Sequence, residues 1–149
     1  MNIRLLASTL LAFAIMTPIM HAQDSDEKET ELGKHMSKIA KDYKKLRSSI
    51  NDATQNDASI ALLSDMKSES QAGLDLKPEK EADLPADQQA DFQAKFQAGL
   101  KEFGSTIDQA IASLKAGDNA AAAKTVMSLG ALERKDHKQF KKPKPEGSK

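Results

Sequence analysis

Apolar residues return along the chain at Leu32, Met36, Ile39, Tyr43, Leu46, Ile50 and Ala53, in alternating steps of four and three. That spacing lays one stripe along one face of a helix, as in a heptad seam. Asp24, Asp26 and Glu27 stand where a helix start favours negative charge. After the polar stretch NDATQND, Ile60, Leu63, Met66 and Leu74 predict a second, less regular helix. DLKPEKEADLP, with Pro78 and Pro85, reads as the one long connection. Phe92, Phe96, Leu100, Phe103, Ile107, Ala110 and Leu114 then mark a third helix, with Gly117 as its C-terminal stop. Asp118 or Asn119 caps a fourth, whose inner face is read through Ala122, Val126, Leu129, Glu133, His137 and Phe140. Lys138, Lys141 and Lys142 suit its negative end.

Ala, Lys, Glu, Gln and Leu dominate beyond residue 22 and runs of β-branched residues are missing, so the fold class is all-α. Four amphipathic helices with mostly short links predict an antiparallel, up-down-up-down four-helix bundle over residues 23–142. The residues before it, MNIRLLASTLLAFAIMTPIMHA, join Arg4 to an apolar run that ends in small and polar residues, the layout of a cleavable signal peptide over 1–22. Ser8, Thr9, Thr17 and Pro18 interrupt that run, which is short for a bilayer, so no stable membrane insertion is expected after cleavage. The closing residues 143–149 are charged and proline-broken, and are expected to form a disordered basic tail.

Removing 1–22 takes away Arg4 and no acidic residue, so 22 basic residues become 21 against 22 acidic. No field suited to nucleic acid results. Cysteine is absent. An exported domain of this size then relies on packing, a cofactor or oligomerisation, and thiol catalysis, zinc-thiolate sites and haem attached through CxxCH are excluded.

In the expected topology Met36, early in the first helix, and His137, late in the fourth, are level with each other and point inward. At a rise of about 1.5 Å per residue both lie within roughly 10 Å of one bundle end. Met66, Phe92, Phe96 and Phe140 converge there too. Taken singly, Met36 fills a gap in the core and His137 is a satisfied helix residue. Taken together, a thioether facing an imidazole among apolar and aromatic residues is what six-coordinate haem iron requires.

LGKHMSKIAKDYKKL, with its early Met, and LGALERKDHKQF, with its H-x-x-F end, resemble the two termini of the cytochrome b562 family. TIDQAIASLKAGDNAAAAKTVMSLGALERKDH, with its IDxAI and KxG turn, resembles the same family's third helix, turn and fourth helix. The resemblance covers nearly all of the chain after residue 22. It implies a periplasmic electron-transfer protein whose bundle holds one non-covalent haem b, iron protoporphyrin IX, with Met36 and His137 as axial iron ligands. Met66, Phe96 and Leu100 would line the pocket, and redox proteins, not identified by the sequence, would be the partners. Glu133 and Asp136 stand where the related c-type bundles carry cysteines.

Three positions depart from the family pattern. About four additional residues fall around QNDA, at the end away from the haem. Glu133 replaces a basic residue one turn before His137, where it would face a propionate unless it turns to solvent, Arg134 or Lys138. His35 adjoins Met36 and raises a bis-histidine alternative, although successive helix residues point about 100° apart and only one of the two can occupy the seam. An enzyme is not expected: no carboxylates pair with E-x-x-H spacing, and two axial ligands leave iron no open position. The alternative function is a cofactor-free exported bundle acting as an interaction or stress protein.

Overall fold

A computed structural model describes residues 29–142, in which four helices and two 3-10 turns occur and no strand. The helices are α1 (Glu31–Ser49), α2 (Asn56–Ala72), α3 (Ala86–Lys115) and α4 (Asn119–Phe140). The architecture is all-helical and consistent with a four-helix bundle. The expected signal peptide and basic tail lie outside the described residues, as do Asp24, Asp26 and Glu27. Helix α1 begins instead at Glu31, where the Thr30 hydroxyl accepts a hydrogen bond from the Gly33 amide at 3.1 Å. A threonine cap satisfies an amide that the helix itself cannot.

The remaining boundaries follow local chemistry. Gly117 has φ +75°, and the Asp118 and Gly117 amides donate to the Ser113 and Leu114 carbonyls, closing α3 in a Schellman turn. Of the two candidate caps for α4, Asp118 accepts from the Ala121 amide at 2.8 Å. Asn119 is used differently. Its amide donates to the Ile50 carbonyl and to Asn56 Oδ1, while Asn56 donates to the Leu114 carbonyl. Two paired amides thus fasten the end of α1, the start of α2, the end of α3 and the start of α4. Asn56 comes from NDATQND, which is not all loop: it contains a 3-10 turn (Ala53–Gln55) and the first residues of α2.

The long connection is also more ordered than its prolines suggest. A 3-10 turn over Glu79–Asp83 packs beside α3 and α4, Lys80 Nζ donates to the Gln139 carbonyl, and Lys142 pairs with Asp83. Glu81 is buried there, with one oxygen bonded to Lys77.

Helix α1 packs on α2, α2 on α3 and α3 on α4, whereas the backbones of α1 and α4 approach each other much less closely. The main core joins Ile39, Leu46, Leu63, Met66, Ile107, Val126 and Leu129. A second cluster, of Phe96, Leu100 and Phe140 with Leu32, Met36, Leu74 and Phe92 packed against it, fills the end that holds the start of α1 and the end of α4.

Candidate functional site

The second cluster is where the sequence places its chemistry. Phe140, on the last residue of α4, meets Phe92 and Phe96 edge-on with ring centroids 5.1 and 5.3 Å away. Such T-shaped contacts direct a positive ring edge at a negative face. Helix α2 stops just before Gly73, and the missing side chain there matters: a Cβ would sit 3.3 Å from Leu32 Cδ1 and 3.5 Å from both Leu100 Cδ1 and Met36 Cε. Glycine therefore lets the Met36 methyl and two leucines close over the helix end.

Met36 touches both clusters, while Phe96 and Leu100 belong to the aromatic one. Met66 does not lie in that cluster. It is fully buried in the main core, seven residues before Gly73 and so about 10 Å deeper at a rise of about 1.5 Å per residue.

His137 also departs from expectation, because it is exposed. With about 100° per residue, Asp136 and His137 lie about 50° to either side of the stripe through Leu129, Glu133 and Phe140. Either could be the inward residue, and the neighbouring helix decides. On the α3 side, where packing is close, the Asp136 carboxylate lies over Gly99, 3.0 Å from where a Cβ would stand. Burial there raises its pKa; Glu102 adds to the rise, and Lys135 and His137 oppose it. On the α1 side the helices stand apart and His137 is left open.

Which side His137 occupies is shown by Gly130, one heptad earlier on α4. Its Cα faces Tyr43 of α1 so closely that a methyl there would overlap the hydroxyl, and that hydroxyl donates to the Val126 carbonyl at 3.2 Å. Contacts between the two helices run from Ile50 with Asn119 to Tyr43 with Val126 and Gly130, descending α1 as they ascend α4. Seven residues further in the same sense bring Met36 level with His137. By that register residues 36 and 137 share one height along the loosest seam, beside the aromatic cluster, while the Met36 methyl itself lies against Gly73.

His35 points elsewhere. Its Nδ1 lies 2.5 Å from Glu69 Oε2 on α2, and Lys38 donates to the other oxygen at 3.0 Å. The His35 hydrogen bond, then that of Lys38, lowers the Glu69 pKa. The sequence draws attention to His35 but not to Glu69. The residues are 34 positions apart, and no local pattern links them.

Among the described residues no three His, Cys, Asp or Glu side chains gather where they could hold a metal ion. A bare cation would find too few donors at Met36 and His137. A porphyrin, which brings four nitrogens of its own, needs only the two axial donors that a thioether and an imidazole provide. The apolar walls suit a flat ring, and a methionine is readily re-aimed from its contact with Gly73 because its side chain is flexible.

Helices around an aromatic end, with two soft iron-ligand types level on an open seam, are features of the class of helical proteins that hold a flat apolar cofactor. The chain belongs to the cytochrome b562 family, whose model matches residues 31–141. Membership implies a haem-binding electron-transfer bundle and does not favour the cofactor-free reading. Comparison with curated proteins and with solved structures gave no significant match. Among the described residues no helix is long and apolar enough to cross a membrane.

Proposed function

We propose that this chain is a periplasmic electron carrier: an up-down-up-down bundle over 23–142, exported by the signal sequence 1–22, that holds one non-covalent haem b between Met36 and His137. The observation that carries the reading is the Tyr43–Gly130 contact, whose register brings Met36 level with His137 on the open α1–α4 seam of a cytochrome b562 family member.

Bound haem supplies an iron that takes up and releases one electron. Met36 from α1 and His137 from α4 would hold that iron. With both residues engaged on the iron, the chain would serve electron transfer rather than catalysis. A thioether donor favours the reduced metal and sets a higher potential than a second imidazole would. Phe96 and Leu100 would wall the ring and exclude water, whereas Met66 lies deeper, in the main core. Redox proteins are the partners, and electrons reach them through the seam where His137 is exposed.

Titration of the apo-protein with haemin should reach an endpoint at about one haem per chain, with a low-spin spectrum. His137→Ala should abolish or greatly weaken binding. Met36→Ala should retain a five-coordinate haem of lower potential. The absence of any stoichiometric endpoint in the natural protein would refute the assignment.

A further inference from the structure

His35 and Met36 are consecutive on α1, so a turn of about 100° about the helix axis exchanges one for the other at the seam. From Ile39 onward the core and the Tyr43 contact with Gly130 hold α1 fixed, but little on the α4 side resists such a turn in the segment ahead of Ile39. The backbones of α1 and α4 stand apart, Leu32 and Met36 are only half-buried, and the first fully packed seam residue is Ile39. The resistance comes from α2. One carboxylate, Glu69, takes hold of two α1 residues three positions apart: His35 Nδ1 at 2.5 Å and Lys38 Nζ at 3.0 Å. The side chains of His35 and Glu69 are each 21% exposed, so the bond is partly sheltered from water.

A carboxylate can only accept, so the His35 proton must be on Nδ1. A histidine held in this way is also a good metal ligand through its other nitrogen. Position therefore decides between the two roles. The His35 ring lies against α2, whereas Met36 Cε lies against Gly73 and Leu100 in the wall of the aromatic end.

We propose that Glu69 is a positioning residue that selects the axial ligand: by holding His35 and Lys38 on the α2 side it keeps His35 off the iron and presents Met36. This rests on the haem reading above. Glu69→Ala should free the segment of α1 ahead of Ile39 to turn, so that the haem-loaded protein loses its thioether-to-iron signature, gains that of two imidazoles and shows a lower potential. Glu69→Gln keeps a carbonyl that accepts from Nδ1–H and should retain the methionine signature. Glu69→Ala combined with His35→Gln has no competing imidazole and should regain it. Magnetic resonance and near-infrared absorption report the axial pair, potentiometry reports its consequence, and circular dichroism of each apo-protein checks that the helices persist. An unchanged axial pair and potential in Glu69→Ala would overturn the proposal. So would a natural protein already bis-histidine whose signature disappears in His35→Gln, since Glu69 would then orient His35 as the ligand. Failure of the natural protein to take up haem at all would instead refute the haem reading itself, and the proposal with it.

Discussion

Replacing Gly130 by alanine tests the contact that sets the height of α1 against α4. In an ordinary exposed helix position this change stabilises by about 1 kcal/mol, because glycine is the poorer helix former. Here the new methyl would overlap the Tyr43 hydroxyl and stand 3.1 Å from its Cζ. Two effects oppose the gain. Overpacking a closed contact costs about 1–3 kcal/mol. Displacing the tyrosine also breaks its 3.2 Å bond to the Val126 carbonyl, worth about 1 kcal/mol, though that carbonyl keeps its place in the helix. The net expectation is destabilisation by about 1–3 kcal/mol. Tyr43→Phe alone should cost at most about 1 kcal/mol. In the Tyr43→Phe background the closest clashing atom, the hydroxyl oxygen, is gone. Gly130→Ala should cost less there, giving a coupling of about 1 kcal/mol in the double-mutant cycle. Urea unfolding of the four apo-proteins supplies every term. If Gly130→Ala raises the midpoint, or the two changes simply add, the α1–α4 contact does not exist as described, and the register linking Met36 to His137 loses its support.

Three further outcomes follow from other parts of the structure. Gly117→Ala places a side chain at φ +75° and should destabilise by about 1 kcal/mol, read as a lower denaturant midpoint with an unchanged slope. Haem that binds only the folded chain should raise its melting temperature, by an amount equivalent to about 2.7 kcal/mol at a hundredfold excess over Kd; hydrogen exchange should slow most around Met36, Phe96 and His137 and least around Gly117. For Glu69 the folded pKa lies below the ordinary value, so its contribution is present above the usual carboxylate range and is lost as pH falls through the folded value. The unfolding midpoints of the natural apo-protein and Glu69→Gln should therefore differ near neutrality and converge in acid.

Helix geometry and short-range chemistry made much of this protein legible from the order of its residues. The four-three spacing marked the first and third helices, with a looser pattern for the second and fourth, Gly117 marked the α3–α4 turn, and the phenylalanines marked an aromatic end, because each depends on residues within a few positions of one another. Even so, local reading passed over Thr30 as the cap of α1, and it took a packed strap with a buried Glu81 for a plain connection. Packing between helices settled what periodicity leaves undetermined. Asp136 and His137 flank the same stripe, and the close approach of α3 covers one while the distance of α1 leaves the other open. Met66 matches its stripe perfectly well, yet depth along the bundle puts it in the main core. The separate settings of His35 and Met36 are the clearest case. Adjacent in sequence, they are separated by a carboxylate 34 residues away on another helix, and only the packing of α1 against α2 brings it within reach. A heptad specifies which face of a helix is apolar; how far that face stands from its neighbour, and what waits on the other side, depends on the whole chain folding at once.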